Sequence, residues 1–364
     1  MATTIYHEAD GDLSVLKTKV VGMIGYGNQG RSQALNMRDQ GINVIVGNRD
    51  DEFKVRAKED GFETYPIPQA VQKADIFFIL IPDEIMNDVY EEKIEPYLSN
   101  GDALVFASGY NIAFDLLNPP RTVDVLLIAP RMIGVGVRET FLNKEGHFSF
   151  VGVHQNATGK AKEIMLALTK GVGGLMKGGV EVTMMQEAVL DLFSEQGFGP
   201  SFSQIMLKSI NLLLDAGYPK EAALVELVLS GWMKYSYDDM AKIGIIDHLK
   251  TLSPKNQYGS LSRVVRFQEV IQRIVVLQKS ILRNIQNGSF AEEWEKTWSK
   301  IKFKVMKFFA PKLGIGKIEK AVRENLKMPD IDIWEQVPLP SIEEVERNLE
   351  IRKELADFRN FDEF

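Results

Sequence analysis

Between Lys19 and about Thr183 short apolar runs alternate with amphipathic stretches: KVVGMI, NVIV, ADIFFILIP, DALVFA, VDVLLIAP and FSFVGV, each bounded by Gly, Pro or Asp. Continuous apolar runs of that length predict strands buried on both faces, hence a parallel sheet with helices between its strands. From about Met184 to Asn325 the strand signal is gone. There apolar residues recur at three- and four-residue spacing, as in FSQIMLKSINLLLDAG, which predicts helices only. The expected fold class is therefore α/β followed by all-α: a doubly wound parallel sheet over 1–183, a helical domain over 184–327 and an appendage over 328–364. In the appendage Ser341 and Glu344 have the spacing of a capping box and predict one charged helix.

The stretch VVGMIGYGNQGRSQALNMRDQG places Gly25, Gly27 and Gly30 in a GxGxxG directly after the first strand. One glycine serves the tight turn, one lets the backbone approach a pyrophosphate, and one permits close helix–strand packing. Tyr26, Asn28 and Gln29 complete the loop. A second strand, NVIVGNRDDEF, ends in acidic residues about 20 positions further on, as a dinucleotide-binding Rossmann unit requires. At its end, after Asn48, Asp50 and Asp51 would accept hydrogen bonds from a ribose diol and repel a 2′-phosphate. Arg49 and Lys54 could serve that phosphate instead, or Arg49 could stack on adenine. Two acids in tandem favour NADH over NADPH.

The 364 residues are 45% hydrophobic and 26% charged, an ordinary globular composition, and the net charge of −7 gives no sequence-wide attraction to nucleic acid or anionic membranes. The lack of cysteine excludes disulfides, a thiolate nucleophile and thiolate metal sites, and fits a reducing cytoplasm. MATTIYHEADGDLSVL lacks the basic start and apolar run of a signal peptide, and no apolar run approaches the ~20 residues needed to span a bilayer. A soluble cytoplasmic protein is expected. The basic, aromatic run KIKFKVMKFFAPK (Lys300 to Lys312) reads as a solvated amphipathic helix before an anionic-surface binder.

Of the four histidines (His7, His147, His154 and His248) none is spaced as a metal pair, so acid–base or metal chemistry falls mainly to carboxylates, Lys or Arg. MMQEAVLDLFSEQ sets Glu187, Asp191 and Glu195 at i, i+4 and i+8 on one helical face. A solvated face is the plain reading. The flanking Val189, Leu190, Leu192 and Phe193 also permit a half-buried row, and carboxylates converging there would suit a hard cation such as Mg²⁺. Glu226, the lone acid of VELVLSGW, is then a natural partner from another helix.

Taken in order, GYGNQG, LIPDE (Pro82 and Asp83), SGYNI (Ser108 and Gly109), the pieces between Ala129 and Arg138 (including Gly134), DLFSEQ and NQYG resemble ketol-acid reductoisomerase over roughly residues 5 to 300. The resemblance implies a Rossmann domain followed by a knotted, dimerising helical domain, NAD(P)H, and two Mg²⁺ ions. The family reaction is an alkyl migration in 2-acetolactate followed by hydride reduction of the resulting keto acid. Carried over by position, Asp191 and Glu195 match acids that bind magnesium, and Glu226 matches one supplied by the partner subunit. Ser253, in LSPKNQYG, matches a serine that contacts the substrate carboxylate.

Several positions depart from the family pattern. Ser230 stands where another magnesium-site glutamate belongs, Ser108 replaces a histidine beside the nicotinamide, and Arg131 replaces a lysine near the metals. Met132–Ile133 and Val135–Gly136 alter the following loop, and Trp232 adds bulk close to the expected pocket. Alkyl migration needs two cations to polarise the ketone and stabilise the adjacent alkoxide, so these losses strike that step first. Hydride transfer asks for a held cofactor and an oriented electrophilic carbon. Arg131 could clamp a carboxylate but is a poor proton donor.

The expected function is an NAD(P)H-dependent reductase acting on a C=O or C=N bond of a small carboxylated substrate, with the isomerase step lost or weakened. It is expected to be a homodimer with a site shared between subunits and a remaining Mg²⁺ at Asp191, Glu195 and Glu226. The alternatives are a working ketol-acid reductoisomerase of branched-chain amino-acid biosynthesis and a catalytically silent dinucleotide-binding homologue.

Overall fold

The computed structural model describes residues 3–309 and 315–328. The appendage beyond Met328, with its expected capping box, lies outside the described residues, as does the end of the basic run after Phe309. The chain forms two compact units that part between Ala188 and Val189.

The first unit is built on one nine-stranded sheet: β1 (Ile5–Tyr6), β2 (Val20–Ile24), β3 (Asn43–Gly47), β4 (Glu63–Tyr65), β5 (Ile76–Ile79), β6 (Ala103–Phe106), β7 (Asp124–Pro130), β8 (Phe148–Gln155) and β9 (Gly178–Glu181). Their order is β1-β9-β8-β7-β6-β5-β2-β3-β4. From β7 through β4 every neighbouring pair is parallel, and every residue of β5, β6 and β7 is buried, as the unbroken apolar runs predict. The far edge differs from the expected all-parallel sheet: β8 runs antiparallel to β7, and β1 antiparallel to β9. FSFVGVHQ mixes buried with exposed positions because β8 lies beyond the doubly covered centre.

Helices α1 (Asn28–Asp39), α2 (Glu52–Glu59), α3 (Ile67–Lys73), α4 (Asp83–Lys93), α5 (Tyr110–Ala113), α6 (Gly134–Leu142) and α7 (Ala161–Val172) connect the strands. Two apolar clusters fill this unit, one containing Met23, Val46, Phe78 and Leu168 and the other Ile24, Phe77, Phe106 and Leu127. The strand order reverses direction between β2 and β5. In an open α/β sheet that switch point is where a ligand settles, outside the carboxyl ends of the strands.

Past α8 (Met184–Phe193) the described residues of the second unit are helical: α9 (Gly199–Asp215), α10 (Lys220–Leu224), α11 (Trp232–Ile243), α12 (Pro254–Val264), α13 (Gln268–Gln286), α14 (Ser289–Glu295), α15 (Thr297–Phe309) and α16 (Ile315–Asn325). Its own core is small, centred on Ile210, Leu224 and Val322. By contrast Leu212, Val276 and Leu277 are each more than 60% exposed. An open apolar groove of about 610 Å³ runs between α9 and α13, lined by Ile205, Leu212, Ile274, Leu277 and Ile281 among others.

Candidate active site

The carboxyl ends of β2, β3, β5 and β6 open into a cleft of about 620 Å³ whose lining includes Gly25, Gly27, Asn48, Asp51, Pro82 and Ser108. Gly25 has φ +98°, and a Cβ there would lie 2.5 Å from the Leu80 carbonyl oxygen, so both conformation and space demand glycine. At Gly30 a Cβ would lie 2.3 Å from the Gly25 carbonyl oxygen, which lets α1 start hard against the turn. Gly27 is different: nothing stands within 4 Å of its Cβ position. That bare backbone at the mouth of α1 leaves room for a pyrophosphate beside the helix-terminal N–H groups.

The loop is braced from behind. Tyr26 is buried, its hydroxyl donating to Asp60 Oδ2 at 2.8 Å, while Arg31 donates to both Asp60 oxygens at 2.7 and 2.9 Å. Burial, and then the Asp60 charge, push the Tyr26 phenol well above its ordinary range. Burial opposes ionisation of Asp60, but the bonds from Arg31 and Tyr26 overcome it and hold the carboxyl below the ordinary range. In front, Gln29 Nε2 donates to the Met132 carbonyl at 2.8 Å. A Cβ on Gly134 would lie 2.3 Å from the Asn28 carbonyl oxygen, so α6 begins tight against the same loop.

After β3 the two acids have separate duties. Asp51 caps α2: its Oδ1 accepts from Asn48 Nδ2 (2.7 Å), Phe53 N (3.1 Å) and Lys54 N (3.2 Å), and its Oδ2 from Arg49 Nε (2.6 Å). A carboxylate offers about four acceptor positions, two per oxygen, so Oδ2 keeps room for one more donor. Asp51 lines the cleft together with Arg49. Asp50 does not: its side chain is 91% exposed and bonds Lys54 Nζ at 2.6 Å, which lowers its carboxyl.

Two contacts escape a sequence reading. Asp83, at the start of α4, accepts from the buried Asn111 Nδ2 at 2.8 Å, tying the turn after β5 to the turn after β6. Lys93 also lines the cleft, on the same α4 face as Met86 and Val89; its spacing from those two was the available signal.

The acidic row is split. Glu187 is 1% exposed and accepts from Gly109 N at 2.6 Å and Arg131 Nη1 at 2.9 Å. The Arg131 guanidinium also lies 4.9 Å from the centre of the Phe150 ring. Asp191, in the second unit, is half-buried and Glu195 exposed. Glu187 thus belongs to a basic partner in the first unit, and the three do not form one equivalent row. Glu195 sits in a π-helical turn, Ser194–Phe198, and Glu226 in another, Val225–Leu229. Such turns insert a residue and re-aim side chains, often at functional positions. Trp232 donates its indole N–H to the Glu226 carbonyl at 2.7 Å, and Ser230 and Ser253 are exposed. Among the described residues no three His, Asp or Glu of one chain gather as a metal-holding group.

Residues 15–179 match the family described as acetohydroxy acid isomeroreductase, NADPH-binding domain, and residues 184–328 match ketol-acid reductoisomerase, C-terminal domain. The chain is 38% identical over 291 residues to the ketol-acid reductoisomerase (NADP(+)) of Petrotoga mobilis, covering 79% of this chain and 87% of that one. It is 37% identical over 329 residues to the enzyme of the same name from Sulfurisphaera tokodaii, covering 88% and 95%. Among solved structures, an NADH-preferring ketol-acid reductoisomerase from an uncultured archean superposes with a TM-score of 0.82 at 34% identity, over 88% of this chain and 98% of that one. With both family domains matched and the glycine cleft formed, the chain belongs to the ketol-acid reductoisomerase family and is an NAD(P)H-dependent oxidoreductase.

Proposed function

We propose that the protein uses NADH to reduce a C=O or C=N bond of a small carboxylated substrate, with the alkyl migration lost or weakened. The observation that carries this reading is Arg131, a guanidinium already committed to the buried Glu187 beside a complete cofactor cleft. A guanidinium keeps its proton throughout the accessible pH range, so Arg131 orients an anion but passes no proton to it. The glycine loop holds the pyrophosphate, Asp51 receives one ribose hydroxyl, and the Ser108–Gly109 turn borders the reacting end.

Asp191 and Glu195, with Glu226 supplied by a second copy of the chain, have the oxygen donors that suit Mg²⁺. When bound, the ion supplies Lewis acidity. With Ser230 in place of an acid, that set is one carboxylate short of the family's. The apolar face along α9 and α13 supports a homodimer, since a patch of that kind on a soluble protein marks an interface.

The test follows NADH oxidation with 2-acetolactate and, in parallel, the rearranged 3-hydroxy-3-methyl-2-oxobutanoate, each with Mg²⁺ and with chelator. Reduction of the rearranged acid at least about 100-fold faster than 2-acetolactate is expected; that gap is about 2.7 kcal/mol of transition-state stabilisation. Equal turnover of both would mean a working reductoisomerase. Turnover of neither would move the substrate to another keto acid or an imine.

Coenzyme choice gives a separate prediction. Asp51→Ser keeps a helix-capping oxygen while removing the charge, so kcat/KM for NADPH relative to NADH should rise about tenfold with little change in Tm. An unchanged ratio would show that Asp51 does not face the 2′-position.

A further inference from the structure

Taking the cleft as the dinucleotide site of the reading above, the cofactor's direction follows from the strand order. The adenosine end lies by β3, the pyrophosphate on the glycine loop, and the nicotinamide half over the ends of β5 and β6. Ala107 and Ser108 line the cleft there, and Gly109 follows. That turn is fixed from outside the cleft. Gly109 N donates to Glu187 Oε2, and a Cβ on Gly109 would lie 2.2 Å from the Met184 carbonyl oxygen, so the turn is pressed against the first residue of α8. The other carboxylate oxygen, Oε1, takes Arg131 Nη1.

We propose that Glu187 is the positioning residue of the nicotinamide end: with one oxygen on the Gly109 N–H and the other on Arg131, it locks the Ser108–Gly109 turn and the guanidinium into a single piece. Both of these partners are donors, which makes the carboxylate hard to replace. Glutamine offers one acceptor and one donor, so either Gly109 or Arg131 would face an N–H. Glu187 touches neither substrate nor cofactor in this role and acts through the turn.

The experiment measures binding of NADH and of ADP-ribose, which lacks the nicotinamide, by calorimetry on the full chain. Glu187→Gln should weaken NADH about tenfold, the scale of one lost charge-assisted bond, and change ADP-ribose less than about twofold. Combining it with Arg131→Gln should bring NADH back to within about threefold of the parent. In that pair the shorter amide at position 131 accepts from the amide N–H at position 187, whose own carbonyl oxygen is then left for Gly109. Gly109→Ala pushes the same turn from the opposite side, needs no change at Glu187, and must show the same selective loss.

Equal weakening of both ligands in Glu187→Gln would reduce Glu187 to general support of the fold, and no weakening would remove the role. If Glu187→Gln does not fold, the Gly109→Ala comparison decides by the same criterion. A parent protein that binds neither ligand overturns the dinucleotide reading itself. One that binds both but turns over no keto acid or imine overturns the proposed reaction and leaves Glu187 in place.

Discussion

Gly27→Asp should weaken NADH at least about 100-fold while leaving Tm within about 2 °C of the parent. The separation of the two effects follows from local geometry. Gly27 has φ −75° and ψ −163°, which any L-residue adopts, and its Cβ position meets no atom within 4 Å, so the fold has nothing to lose. The same space is where a pyrophosphate would lie, and a carboxylate there removes room and adds like charge. A 100-fold loss corresponds to about 2.7 kcal/mol, modest for a displaced doubly charged group. Gly30→Ala is the contrasting control: its Cβ would fall 2.3 Å from the Gly25 carbonyl oxygen, so binding and stability should fall together. Calorimetry with a parallel melting curve checks both, and unaltered NADH affinity in Gly27→Asp would place the phosphates elsewhere.

Ser230→Glu should raise turnover of 2-acetolactate relative to the rearranged keto acid by about tenfold in Mg²⁺, and not in chelator. Ser230 is exposed directly after the π-helical turn that carries Glu226, so a longer acidic side chain meets no packing there. If the isomerase step is limited by a missing carboxylate, returning one should favour the step that needs the cations most. Two neighbouring acids also repel when no cation relieves them, so Ser230→Glu should melt lower in chelator than in Mg²⁺. An unchanged substrate ratio would shift the blame to Arg131 or to the Met132–Gly136 loop, both of which also depart from the family pattern.

Much of the first unit was legible because its strands are doubly buried: β2, β3, β5, β6 and β7 announce themselves as unbroken apolar runs, and the glycine loop lies where such a sheet needs it. β4 and β9 were not. ETY and GGVE are short, polar or glycine-rich, and they become strands only through pairing with β3 and with β8. Strand direction is equally silent in a hydrophobic pattern, which is why the antiparallel β8 came as a difference.

In the site, spacing within one helix suggested that Glu187, Asp191 and Glu195 act together. The partners that separate them are remote in sequence: Gly109 and Arg131 lie 78 and 56 positions from Glu187. The two π-helical turns were hidden for another reason. One inserted residue barely disturbs an apolar pattern in DLFSEQ or VELVLSGW, yet it changes the direction of each acid. Asp50 and Asp51 likewise look interchangeable until α2 is seen to start on only one of them.

That last detail limits how this protein's coenzyme preference can drift. Because Asp51 both begins α2 and faces the ribose end of the cleft, a change there is screened twice, once for folding and once for the ligand. Residue types that cap a helix through a side-chain oxygen are few: Asp, Asn, Ser and Thr. A mutational path between NADH and NADPH through this position is therefore confined to those four, and a library that randomises it should return little else among its stable members, whichever coenzyme is selected.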